Sequence, residues 1–290
     1  MKKSAKKNNI TISQRNVHIL LTLTRGPITA AELKERCFKK DQAVDYTAFR
    51  MEQDRSVVKP RDNDLFISRQ VISRKLIKIQ NKGLISSFEH FEMTEEGMPI
   101  QEKIYFLTEL GLHHVSRSYG ISKHNIRYGK PLEIHVSHEL NLSRIIRKIY
   151  DDAESGKYRV NYAHGDRALR SIFCRRLGHL PAEGELFLDL HVELMCNSGN
   201  LLRLPLELAN LKDDPDFWEH KIKNIQETFF IIARTDDFAS TIVKWILKIK
   251  PGYEMFVVSL PDFLKLGLAN TVWQKVKQDS VERCRINLDI

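Results

Sequence analysis

The positive charge of this chain is gathered at one end. Residues 1–83 hold 19 Lys or Arg against 8 Asp or Glu, an excess of +11, whereas the other 207 residues hold 27 against 29. A single mixed fold has no reason to sort its charges in this way. A polyanion-binding module attached to a near-neutral body does. The chain of 290 residues has room for two cores. Its composition, 42% hydrophobic and 29% charged, is that of a globular protein rather than a disordered one.

Local pattern gives the basic segment a shape. Residues 1–9 read as an arm carrying Lys2, Lys3, Lys6 and Lys7. Val17, Leu20, Leu21 and Leu23 fit one helix, between the N-cap Ser13 and the stop Gly26-Pro27. Thr29 caps a second helix, Ala30–Phe38, with Leu33 facing inward. Residues 39–66 are charged and irregular and read as an insertion, with a turn at Lys59-Pro60-Arg61. Ser68 caps a third helix, Arg69–Lys82, which Gly83 closes. Two strand-like runs follow, Leu84–Glu92 and Glu102–Leu107, joined by Glu95-Glu96-Gly97-Met98-Pro99. A helix starts over Thr108–Val115, and Gly120–Pro131 reads as a linker. Three helices and a hairpin predict a winged helix-turn-helix.

On the third helix Ile72, Leu76 and Ile79 make the inward stripe. Gln70, Ser73, Arg74, Ile77 and Asn81 lie opposite, with Arg69 and Lys78 on the flanks. Arg matches guanine, Gln matches adenine, and Ser serves a phosphate or a base edge. Arg69, Gln70, Ser73, Arg74, Ile77 and Lys78 are therefore the candidate DNA contacts, together with the arm lysines. Glu89, Glu92, Glu95 and Glu96 on the hairpin would repel phosphates, so the arm or the insertion is expected to grip the backbone instead.

The second half opens with a helix over Ser137–Ala153, striped with Leu140, Leu142, Ile145, Ile146 and Ile149. Strands are predicted at Tyr158–Ala163, Glu185–Leu194 and Leu201–Leu208, the last two joined by the hairpin turn Cys196-Asn197-Ser198-Gly199-Asn200. Helices are predicted over Asp216–Phe230 and Asp237–Ile249, with a buried strand at Met255–Leu260 between the latter and a helix begun by Pro261; Trp273 is assigned to a terminal helix. The expected fold class is thus α/β (α+β). A winged helix-turn-helix DNA-binding domain spans 1–116, a linker 117–130, and a nuclease-like α/β domain, serving dimerisation, 131–290.

A metal-dependent nuclease needs acids at strand ends and a lysine beside the phosphate. Asp189 in Leu188-Asp189-Leu190 and Glu207 in Leu206-Glu207-Leu208 match the PD-(D/E)xK layout, and Glu139 on the preceding helix completes a possible triad. The lysine position two residues after Glu207 is Ala209, and Lys221 on the next helix is the one substitute in reach. Glu139, Asp189, Glu207 and Lys221 are therefore read as vestigial, with no catalytic residue and no metal. No P-loop, G-x-G-x-x-G, G-x-S-x-G or H-E-x-x-H occurs, and no cofactor is expected. Cys37, Cys174, Cys196 and Cys284 are scattered and suit a reducing compartment. No apolar run reaches the roughly 18 residues of a membrane span, and no apolar stretch follows the basic start, so a cytoplasmic protein without a membrane partner is expected.

Tyr105-Phe106-Leu107-Thr108-Glu109-Leu110-Gly111, then His138-Glu139-Leu140, then Leu206-Glu207-Leu208 with His220-Lys221-Ile222 make the chain resemble the replication-relaxation family, also called plasmid mobilisation auxiliary proteins. The likeness covers most of the chain. It implies a winged-helix DNA reader joined to a nuclease-like domain, encoded on a mobile element such as a conjugative plasmid. Members act as relaxosome accessory factors or as regulators of transfer genes. An acid that the family often carries near position 209 is absent here. The resulting expectation is a homodimeric, sequence-specific double-stranded DNA-binding transcriptional regulator, an activator, with RNA polymerase or a relaxase as protein partner. A relaxosome accessory protein and a metal-dependent nuclease are the alternatives. Trp245, Ile246, Ile249, Phe256, Val257, Val258 and Trp273 fit a dimer interface and a core equally well.

Overall fold

In the computed structural model, which describes residues 14–38, 69–93, 99–166, 168–170, 188–210, 215–225 and 227–288, the chain divides into two units, Met1–Lys130 and Pro131–Ile290. Both mix helices with a sheet, which makes the protein α+β. The arm lysines Lys2, Lys3, Lys6 and Lys7, the caps Ser13 and Ser68, the insertion 39–66, the turn residues 95–98, Cys174 and residues 185–187 lie outside the described residues.

In the first unit, α1 (Gln14–Leu23) ends before Gly26, whose φ of 116° only glycine adopts at no cost. Two residues of strand, β1 (Ile28–Thr29), lead into α2 (Ala30–Phe38). Thr29 and Glu32 cap that helix reciprocally: Glu32 N–H donates to Thr29 Oγ1 at 3.2 Å, and Thr29 N–H donates to the Glu32 carboxylate at 3.3 Å. Then come α3 (Arg69–Asn81) and an antiparallel hairpin of β2 (Ile85–Met93) and β3 (Pro99–Leu107), with β1 on the far edge of β3. The strand β1 is too short to show any alternation, which is why the sequence pattern passes over it.

Thr108 caps α4 (Glu109–Tyr119), which returns across the unit. The core gathers Ile19, Leu20, Leu23, Ile28, Leu33, Leu76, Ile79, Leu84, Leu107 and Val115. The expected linker 117–130 is not free. Ile126 is buried in this core, Arg127 N–H donates to Thr24 O, and Gly129 N–H donates to Leu107 O. The boundary therefore falls at Lys130, because one buried isoleucine and two backbone bonds hold the segment down.

The second unit is built on a seven-stranded sheet. Its strands are β4 (Tyr158–Gly165), β5 (Leu190–Cys196), β6 (Leu201–Ala209), β7 (Phe229–Ala233), β8 (Met255–Ser259), β9 (Trp273–Lys277) and β10 (Ser280–Cys284), lying side by side in chain order. The β6–β7 and β7–β8 pairs are parallel and the rest antiparallel. Every residue of β7 is buried, as suits a parallel strand covered on both faces. One face packs on α5 (Val136–Ala153) and α8 (Leu260–Leu266), the other on α6 (Pro215–Asn224) and α7 (Asp236–Ile249).

Three expectations need correction. The helix expected over Asp216–Phe230 stops at Asn224, and Phe229 and Phe230 open β7 instead. Trp273 begins a strand, not a helix, and is fully buried. Of the residues offered as a dimer interface, Ile246, Val257, Val258 and Trp273 are core, and Trp245, Ile249 and Phe256 pack against it. Helix α7 buries a stripe at Phe238, Ile242, Val243 and Ile246, so its apolar residues are spent on the sheet.

Candidate functional site

The exposed face of α3 is the first candidate. Ile72, Leu76 and Ile79 anchor the helix in the core, and Gln80 Nε2 donates to Ser87 Oγ on β2 at 2.9 Å. Ser73, Arg74, Ile77, Lys78 and Asn81 are left exposed on the opposite side. Among the described residues Arg74 and Lys78 form no ion pair. Arg69 and Gln70 occupy the first turn of the same helix; their side chains are outside those described. On the hairpin, Glu89 lies across from Lys103, with 3.9 Å between the charged groups, while Phe91 is exposed.

The second candidate is a buried polar cluster at the start of β5. The β5–β6 ladder ends at Leu190–Leu206, and two carboxylates continue it. Leu208 N–H donates to Asp189 Oδ2 at 2.9 Å, and Asp189 N–H donates to Glu207 Oε2 at 3.4 Å. From α5, His138 Nε2 meets Asp189 Oδ1 at 3.1 Å, and its Nδ1 lies 2.9 Å from the Asn210 amide nitrogen. The arrangement that satisfies both contacts has Asn210 donating to Nδ1 and the imidazole donating from Nε2. From α6, Lys221 Nζ pairs with Glu207 Oε1 and lies 5.4 Å from the Phe217 ring centre and 5.6 Å from that of Trp218.

Each group titrates according to this setting. Burial raises the Glu207 carboxyl pKa to about 8; Asp189 pushes the same way and Lys221 opposes both. Burial also works to raise Asp189, but the hydrogen bond and charge of His138, the Leu208 N–H and Lys221 outweigh it and hold that carboxyl below its ordinary value. Burial works to lower His138, yet the Asp189 hydrogen bond and the charges of Asp189, Glu139 and Glu207 raise it.

The structure therefore brings Asp189, Glu207 and Lys221 together. Glu139 sits in the first turn of α5, partly exposed, and completes no triad: among the described residues no group of three His, Cys, Asp or Glu is placed to hold a metal ion. All four oxygens of Asp189 and Glu207 already face a protein nitrogen. Asn210 is not singled out from the sequence, and His138 enters there only within the motif His138-Glu139-Leu140, not as a site residue. A signal existed for His138, which lies four residues before Leu142 on the inward stripe of α5, where a polar residue needs a partner. Lys221 carries the same signal, lying between Trp218 and Ile222 on the buried side of α6. Compared with protein-family models and with curated proteins, the chain matches none. No helix among the described residues is long and apolar enough to cross a membrane.

Proposed function

We propose that the chain binds specific sites on duplex DNA through α3 of a winged-helix unit and regulates transcription. The observation that carries this reading is the exposed Arg74 and Lys78, which form no ion pair among the described residues, on a helix seated by a hairpin, in the segment that holds the excess positive charge. The reading includes a homodimer on a two-fold symmetric site, cytoplasmic, encoded on a mobile element, with a polymerase or relaxase as protein partner. A relaxosome accessory role uses the same surface and differs in where the bound sites lie. The test is a gel shift with residues 1–130 and residues 131–290 made separately. The first fragment is expected to bind duplex DNA with steep salt dependence, because affinity comes from released counterions. The second is expected not to bind. Binding by the second fragment alone overturns the assignment.

One observation favours a second reading, a metal-dependent nuclease: Lys221 reaches Glu207 and supplies the cation that Ala209 lacks. Against it, Lys221 and His138 already bring positive charge or a ring N–H to the two acids, and among the described residues no three His, Cys, Asp or Glu are grouped to hold a metal ion. We therefore place the second unit in a structural and partner-binding role.

A further inference from the structure

Helix α3 leaves one large apolar residue exposed among the polar and basic side chains of its outer face. Ile77 is 49% exposed and lies within one turn of Ser73, Arg74 and Asn81 and next to Lys78, all of them exposed. It is not part of the inward stripe, since Ile72, Leu76 and Ile79 fill that role. An isoleucine left half in water gains nothing until an apolar group covers it. The floor of the major groove is lined with hydrogen-bonding edges, and its one apolar group is the C5-methyl of thymine. Arg74 and Lys78 beside Ile77 supply the charge that brings a polyanion to this face.

We infer that Ile77 is a specificity-determining residue that packs on a thymine methyl group in the major groove. The inference rests on the reading of α3 as the groove-reading helix and adds one base to what that helix selects. Ser73, Arg74 and Asn81 surround Ile77 closely enough that the thymine belongs to the same few base pairs they reach.

The experiment separates the two claims. The full chain is used to select duplexes from a random-sequence pool. Each thymine of the selected site is then replaced singly by deoxyuridine, which removes the methyl and leaves the pairing edge intact. Affinity is measured for the wild type, Ile77→Ala and Ile77→Val. At one or two thymines the replacement is expected to weaken the wild type about fourfold, the effect of one methyl group returned to water. Ile77→Ala should bind the parent site more weakly and show no further loss at those thymines, while Ile77→Val should keep most of the sensitivity. If no thymine matters to the wild type, or if Ile77→Ala keeps full sensitivity, the assignment of Ile77 is wrong although the chain still binds DNA. If the pool yields no preferred sequence, sequence-specific binding itself fails and the Ile77 assignment falls with it.

Discussion

The amino group of Lys221 on α6 and the carboxyl group of Glu207 on β6 meet in the interior of the second unit, both shielded from water. Removing one partner of a buried pair leaves the other uncompensated, at a cost of about 3–5 kcal/mol. In Lys221→Met an uncompensated charge on Glu207 arises only above its raised pKa, because below it the carboxyl carries a proton. Denaturant midpoints should therefore fall strongly at about pH 8.5 and much less at about pH 5.5, and the double variant Lys221→Met, Glu207→Gln should recover part of the loss. Equal losses at both pH values would mean that Lys221 contributes packing rather than charge.

Glu207 also sets a slope in the wild type. Its carboxyl is raised from an ordinary 4.5 to about 8, so the folded chain holds a proton that the unfolded chain releases. Stability from this group is complete below the ordinary value and declines as pH rises through the folded one. Glu207→Gln should flatten the pH dependence of stability between about pH 5 and about pH 8. His138, raised from its ordinary 6.5, has the same sign and should leave a smaller slope on the alkaline side of that value. A variant whose stability still falls steeply from pH 5 onward would show that another group is responsible.

Among the described residues no three His, Cys, Asp or Glu are grouped to hold a divalent ion, and His138 and Lys221 already engage Asp189 and Glu207. Mg²⁺ or Mn²⁺ should neither raise the melting temperature nor produce cleavage of supercoiled, linear or single-stranded DNA. The triple variant Glu139→Ala, Asp189→Ala, Glu207→Ala should keep DNA affinity, although its second unit will be less stable. Cleavage that needs a metal and disappears in both this variant and Lys221→Ala would establish the nuclease reading instead.

Gly111, in the first turn of α4, faces the backbone carbonyl of Leu84 so closely that a Cβ would overlap it. The neighbour is main chain at the start of the hairpin and cannot rotate away. Gly111→Ala should destabilise the first unit by about 1–3 kcal/mol, the usual range for overpacking, and hydrogen exchange should show the loss confined to that unit.

Elements long enough to show their period were legible in the sequence. Helix α2 was expected at Ala30–Phe38 and lies there, and α7 begins one residue before its expected start. The failures came where two periods ran together or where the signal was tertiary. From Asp216 to Phe230 the helical spacing of Trp218 and Ile222 runs on into Phe229 and Phe230, and only the packing separates helix from strand. Trp273 and Val276 stand three residues apart among polar ones, a spacing that a helix shares, so the local pattern does not mark the edge hairpin of β9 and β10. The acids of the cluster could be named from their strands, and Lys221 was already the candidate substitute. That His138 and Asn210, 72 residues apart, share a hydrogen bond follows only from the topology that lays α5 beside β6.

Arg74 and Lys78 lie one turn apart on the exposed face of α3, and the two should fail differently. An arginine that pairs with a base loses a bidentate contact on truncation, so Arg74→Ala should cost about 1–3 kcal/mol on the selected site and little on random duplex. A lysine at the flank meets phosphate as a point charge. Lys78→Ala should weaken selected and random duplexes alike and reduce the slope of log affinity against log salt by about one. Neither change touches the inward stripe, so melting temperatures should stay at the wild-type value. Affinity titrations on both duplexes at several salt concentrations resolve the pattern. Losses of equal size on both duplexes for both variants would make this face a non-specific polyanion surface, and unchanged affinity for both would remove α3 from the interface.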